Sequence, residues 1–398
     1  MTKAVRLFPI LLAAAALAAE PKPPPVPPTD AECIQFGTDL AADLTRGDRA
    51  AVIRTLDPFA FVDRATAGFD VSEDLLIGLR EGMLSRVNET LERSLAAFKV
   101  ARFLRPEIRG TEKRVLVRCE TSTGAVNYLS FACTRRASGA LKWIDVYIFM
   151  SAEDFSQTLR RIVLPMILES KKGLLENLAA GDHAYFRHLL EFARIAELTQ
   201  QGKNREALDA LHALPAELQT DHYILFMKVR LAQGINNTEY LHAIEEWEKA
   251  EPQDPALLMA SIDGDVLRKD YHAAIAKATL LDEHLGGDAY QEYLIAGLHH
   301  LAAEPAAARL SARHALAQEP GMLRAYDLLI VLALEAGNNA DLVDLLQEIE
   351  MKFPGTDMAK AVATEPRYSG LRSSAVFAAW LNVRSLPGLP ADPATRHP

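Results

Sequence analysis

Residues 305–320, PAAARLSARHALAQEP, decide the fold of this chain. Ala308, Ala312 and Ala315 recur at four and then three residues, the spacing that sets side chains on one stripe of an α-helix, and Pro320 stops that helix. The pattern returns as Leu342, Leu346, Ile349 and Pro354, and as Ala274, Ala278 and Leu281 with Gly286 in the proline's place. Ala243, Trp247, Ala250 and Pro255 form a further instance, and Ala207, Leu211 and Leu214 begin the series. The leading positions 207, 243, 274, 308 and 342 are separated by 36, 31, 34 and 34 residues. A small residue lets a partner helix approach, a bulky one fills the gap beside it, and each pair buries its apolar face only against its neighbours. Five helix pairs are therefore expected over residues 188–354, with caps at both ends.

This period and pattern resemble the tetratricopeptide-repeat family. Gly202 and Gly337 fall at the turn between helices, and Asp270-Tyr271 stand where the family often has Gly-Asp-Tyr. The first helices keep Tyr223 and Tyr326 but lack the family's tryptophan and glycine, and Asp265 falls where an apolar residue belongs. The resemblance implies a concave face, made by the first helices, that holds a protein or peptide segment. On those helices Tyr223, Lys228, Arg230, Tyr293, Arg324 and Tyr326 are the candidate partner contacts, aromatic and basic groups that suit extended or acidic peptides. Residues 151–187 read as connecting and capping helices around Pro165, and 355–385 as a C-terminal cap in which Val376, Phe377 and Trp380 share a helix. Residues 386–398 are proline-rich and read as a disordered tail.

The other end of the chain begins with Lys3 and Arg6, an apolar run from Leu7 to Leu17, and Ala16-Leu17-Ala18. That is the layout of a signal peptide over residues 1–18, and the run is too short to span a bilayer. Export to a periplasmic or extracellular location is expected. Residues 19–29 contain PKPPPVPP and form an extended linker, because proline fixes φ and lacks a donor. The formal charge of −10 disfavours a phosphate backbone as partner. With a turn at Ser122–Gly124, Cys119 lies opposite residue 127, too far from Cys133 for a disulfide; Cys33 could reach either, but Cys33, Cys119 and Cys133 read best as small buried apolar residues.

Residues 30–150 change period midway, from helical to alternating. Ile34, Leu40, Ala41 and Leu44 mark a first helix ended by Gly47, and Asp48 caps a second that stops at Asp57-Pro58. Ser72 starts a long helix carrying Leu75, Leu76, Leu79, Met83, Val87, Leu91 and Leu95. Beyond Phe98, Val115, Val117 and Cys119 point one way and Arg114, Arg118 and Glu120 the other, while Leu129, Phe131 and Cys133 continue the alternation. In the last strand Ile144, Val146 and Ile148 line one face and Leu141, Trp143, Tyr147 and Phe149 the other. A strand apolar on both faces is covered on both, here by helices on one side and by a ligand, a second copy in a homodimer, or the helical half of the chain on the other.

Helices followed by a curved antiparallel sheet give an α+β domain ahead of an all-α solenoid. The order of elements, with GDRAAVIRTLDPFAFVDRA at 47–65 and WIDVYIFMSAEDFSQTL at 143–159, resembles the nuclear-transport-factor-two-like and cystatin-like superfamilies over residues 30–155. In ketosteroid isomerases, which share that cone, it forms a pocket, and the resemblance makes Asp145 a candidate general base; an edge aspartate reaching solvent or a nearby arginine is the competing reading. No phosphate-binding, dinucleotide-binding or nucleophile-elbow motif occurs, and His272, His284, His299, His300 and His314 lack metal-ligand spacing. No catalytic residue, cofactor or metal is expected. The leading expectation is a non-enzymatic scaffold for a protein or peptide; the alternative is a small-molecule pocket in the cone, positioned or oligomerised by the repeats.

Overall fold

In the computed structural model the described residues are 27–68, 74, 77–78, 81, 91–92, 95–136, 138–161, 187–251 and 255–384. The expected leader, most of the proline-rich linker, most of the helix from Ser72, residues 162–186 and the tail lie outside them.

Helix α1 (Asp30–Arg46) starts at a capping box in which Thr29 and Glu32 satisfy each other's backbone, and stops at Gly47, whose φ of 73° is left-handed. Its inward stripe is Cys33, Gly37, Leu40, Ala41 and Leu44, whereas Ile34, which the pattern put on that stripe, is exposed. Gly37 is there because a Cβ would stand 2.3 Å from the Phe103 ring, so only glycine lets α1 lie this close to the sheet. Asp48 caps α2 (Arg49–Arg54), and Asp57 both follows it and caps α3 (Pro58–Ala65), with Pro58 in the first turn where its missing N–H costs nothing.

Five antiparallel strands follow in sequential order: β1 (Phe98–Arg109), β2 (Glu112–Thr121), β3 (Val126–Arg135), β4 (Leu141–Ile148) and β5 (Glu153–Asp154). Cys119 pairs with Asn127, as the turn at 122–124 requires. All three cysteines are buried and free. Between β3 and β4 the register slips at Ala132/Cys133, so that Cys133 opposes Trp143 while Ala132 opposes Asp145. This bulge corrects the simple alternation read for β4. Trp143 turns to the helix-covered face with Val146 and Ile148, donates its indole N–H to the Val52 carbonyl at 3.1 Å, and packs edge-on against Phe131. Tyr147 and Phe149 stay on the opposite face.

From residue 187 onward the described helices pair along the chain. They are α4 (Leu189–Gln200), α5 (Asn204–His212), the short α6 (Ala216–Gln219), α7 (His222–Gln233), α8 (Asn237–Ala250), α9 (Pro255–Arg268), α10 (Tyr271–Leu285), α11 (Ala289–Leu301), α12 (Pro305–Gln318), α13 (Leu323–Glu335) and α14 (Asn339–Lys352). The cap is α15 (Met358–Thr364), a 3₁₀ turn, α16 (Ser369–Arg372) and α17 (Ala375–Arg384), with Phe377 and Trp380 buried. The second helices α5, α8, α10, α12 and α14 start at residues 204, 237, 271, 305 and 339, spacings of 33, 34, 34 and 34.

That regularity corrects the reading of the second repeat. Ala207, Ala274, Ala308 and Leu342 each sit three residues into their helix, and the equivalent residue of α8 is Tyr240, not Ala243. Tyr240, Ile244 and Trp247 are all buried, while Ala250 is exposed. The closing proline in this register is Pro252 rather than Pro255. The C-cap residues Glu251, Glu319 and Phe353 share non-helical dihedrals (φ −140°, −132° and −122°, ψ 66°, 84° and 81°), because each precedes a proline that disfavours the α region. The turn within a pair repeats as well: Gly202, Lys269, Ala303 and Gly337 all take φ between 59° and 71°. Asp265 is accommodated by charge, its carboxylate 2.8 Å from Lys277 Nζ and 3.2 Å from Arg268 Nη1.

Candidate functional site

The outer face of the sheet is covered by the helical half of the same chain. Leu116, Val126, Tyr128, Tyr147 and Phe149 belong to one apolar cluster with Leu258 and Ile262 of α9 and Ile295 and Leu298 of α11. The polar contacts across this seam fall at the ends of second helices and the starts of first helices, that is, along one edge of the solenoid. Arg105 donates to the Leu285 carbonyl at 2.7 Å, and His222 meets the Ser151 carbonyl at 3.0 Å.

Arg118 is the centre of the seam. It alternates with Val117 and Cys119 and so projects from the outer face, where the solenoid leaves it 0 % exposed. Its Nη1 lies 2.5 Å from Asp288 Oδ1 and its Nη2 2.7 Å from Glu319 Oε2. Burial alone would lower its pKa; the charges of Asp288, Glu319 and Glu120 reverse this and leave the guanidinium held more firmly protonated. The exchange is reciprocal, since Arg324 of α13 pairs with Glu120 of β2 at 3.1 Å while Arg102 of β1 reaches Glu319 at 2.8 Å. The Tyr128 hydroxyl donates to Asp288 Oδ2 at 2.8 Å, and burial, then the Asp288 charge, push its pKa well up.

Beside this seam the first helices α7, α9 and α11 and the β2–β3 end of the sheet enclose a cleft of about 480 Å³. Phe226, Trp247, Ile262 and Leu294 supply apolar wall, and Val126, Tyr128 and Met150 close it from the sheet side. The polar groups on the wall are few. Arg230 is exposed and only weakly engaged, 3.4 Å from Gln233 Oε1. Asp263 stands at the rim against the Tyr240 hydroxyl. Gln291, 2 % exposed, donates from Nε2 to the Tyr128 oxygen at 2.8 Å, and its Oε1 is buried with no partner among the described residues. Because the Tyr128 proton is committed to Asp288, its oxygen can only accept, which fixes the orientation of the Gln291 amide.

The six candidate contacts read from the sequence do not gather on one open face. Arg230 lines the cleft. Arg324 ties the solenoid to the sheet through Glu120, and Tyr223 lies under the Arg161 guanidinium at 4.0 Å. Lys228 is buried against Glu246 at 2.7 Å, and Tyr326, 1 % exposed, donates to Glu348 at 2.9 Å. Tyr293 is half-buried beside Tyr290. Sequence pattern missed Gln233, Asp263 and Gln291, since single polar residues on a helix carry no signal until neighbouring helices bring them to one cleft.

Asp145 is fully buried on the outer face of the sheet, accepting from Arg64 Nε at 2.9 Å and from the Ser156 and Val146 backbone N–H groups at 3.1 and 2.9 Å. Burial, then the Asp154 charge, raise its pKa. This is the arginine-held aspartate. The cone has its own cavity of about 160 Å³, bounded by residues such as Leu129, Phe131, Trp143 and Phe155, and Asp145 is not among its described lining. Among the described lining Asn127 is the polar residue, with its Oδ1 accepting from the Tyr128 and Met150 N–H groups. Among the described residues no group of three or more His, Cys, Asp or Glu is placed to hold a metal, and no helix is long and apolar enough to cross a membrane.

No family model and no curated protein matches the chain. Among solved structures it is similar to one titled "MamA RS-1 ArsTM double mutant", with 14% identity and a TM-score of 0.36 over 41% of this chain and 92% of that one.

Proposed function

We propose that this chain is an exported, non-enzymatic scaffold whose helical repeats hold a protein or peptide segment in the groove of their first helices. The sheet domain is docked as a wall at one edge of that groove. Residues 1–18 serve as the leader, 30–150 as the wall and 188–354 as the groove. The observation that carries the reading is the cleft between α7, α9 and α11, where aromatic and aliphatic walls surround the buried, uncommitted acceptor Gln291 Oε1. Binding sites combine apolar contact area with a few placed polar groups, and buried acceptors normally have a donor.

A photo-crosslinking residue at Phe226, inside the cleft, tests the proposal against the same residue at Met351, which is exposed on α14. Position 226 should give a discrete crosslinked product in the exported protein and position 351 none. Equal labelling at both positions, or none at 226, would sink the reading.

A second reading rests on the cone cavity, whose described lining is apolar apart from Asn127. It suits a small apolar molecule held without chemistry, and an extractable ligand seen by native mass spectrometry would favour it over the groove.

A further inference from the structure

The chemistry of the cleft narrows what the groove holds, an inference that rests on the groove reading above. Two of the polar groups on its wall are acceptors that a bound segment can engage. Gln291 Oε1 is buried with no donor among the described residues, and the Asp263 carboxylate stands exposed at the rim, accepting from the Tyr240 hydroxyl. Around them stand aromatic rings, Phe226 and Trp247 lying 6.4 Å apart, and Tyr290. Acceptors set among aromatic rings favour a cation, because the ring quadrupole and the carboxylate attract the same charge. Arg230, which pairs loosely with Gln233 at the rim, is the one cationic side chain among the described lining. The chain's formal charge of −10 works in the same direction at longer range.

We propose that the cleft receives a lysine or arginine side chain of an extended partner peptide, with the apolar stem against Phe226 and Leu294 and the N–H donors of the segment satisfying Asp263 and Gln291. Arg230 then opposes the incoming charge, so its removal strengthens binding. An anionic segment would respond in the opposite sense.

The test uses the whole chain and three fluorescein-labelled, end-capped nonapeptides that alternate leucine with lysine, glutamate or serine, read by fluorescence anisotropy. The leucine–lysine peptide should bind, and Asp263→Asn should weaken it about tenfold, the loss expected for one charge-assisted hydrogen bond. Gln291→Leu should weaken it as well, and Arg230→Gln should tighten it. Asp327→Asn, an equal charge change at an exposed site outside the cleft, should leave it unchanged. Thermal melts check that Gln291→Leu still folds, and Asp263→Asn, on the exposed rim, decides the matter if it does not. Preference for the glutamate peptide, equal losses in Asp263→Asn and Asp327→Asn, or displacement by free spermidine at the peptide's own concentration would each overturn the inference. If the serine peptide binds as tightly as the lysine one and Phe226→Ala removes both, the groove stands and the cation preference falls. If Phe226→Ala changes nothing, the groove reading falls with it.

Discussion

Replacing Arg118 by Met tests whether the sheet is held to the solenoid by charge at a buried seam. Arg118 and Asp288 are 0 % and 1 % exposed at the side chain and 2.5 Å apart, so the variant leaves a carboxylate in a dry seam. Breaking a buried pair by removing one partner costs about 3–5 kcal/mol. Two facts place the value near the lower end: Asp288 keeps the Tyr128 hydroxyl, and Glu319 keeps Arg102. A loss of about 3 kcal/mol corresponds to a change of more than a hundredfold in the docking equilibrium. The assay is amide hydrogen exchange. Protection should fall on both sides of the seam, in β2 and β3 and in the first turn of α11, while α14, which carries none of the seam's ion pairs, keeps its own. Adding Asp288→Asn should recover part of the loss, since it removes the stranded charge and leaves an acceptor for Tyr128. A change under about 1 kcal/mol, or loss of protection spread evenly over the chain, would refute the assignment.

Three further outcomes follow from local geometry. Ala303→Gly and Lys269→Gly should each stabilise the chain by up to about 1 kcal/mol in urea titrations, because both residues sit at φ near 60°, where a Cβ is strained. Gly37→Ala should destabilise by about 1–3 kcal/mol through overpacking against Phe103, and Phe103→Leu in the same chain should restore part of it. Arg135, then Thr29, hold the Glu32 pKa down at about 2 against 4.5 when free. The contribution of Glu32 is therefore complete above pH 4.5 and is lost as pH falls toward 2, so Glu32→Gln should lower the urea midpoint at pH 7 and have little effect near pH 2.

Much of the site was illegible in the sequence for a definite reason. Arg118 alternates with Val117 and Cys119, and alternation says only that it leaves the helix-covered face; whether that face meets water or another element is decided elsewhere in the chain. The doubly apolar β4 did announce a second cover, and the helical half of the chain supplies it. The bulge that turned Trp143 gave no sequence signal, because Leu141, Trp143 and Val146 are apolar whichever way they point. In the second repeat, Tyr240 and Ala243 both begin plausible stripes, and the helix start at residue 237 had to choose between them.

The sequence by itself determined the elements of local physics: the helix start at Asp48, the stops at Gly47 and at Asp57-Pro58, Pro320, Pro354 and Gly286 closing their repeats, and a period near 34 that commits the second half to stacked helix pairs. These depend on residues within a few positions of one another. The tertiary structure alone decided that the sheet docks on the edge of its own solenoid, that Arg118 and Asp288 are buried together, and that Asp263 and Gln291 share a cleft. Arg118 and Asp288 are 170 residues apart in the chain, and no local rule connects them. The burial that gives such groups their chemistry exists only once both halves have folded and met.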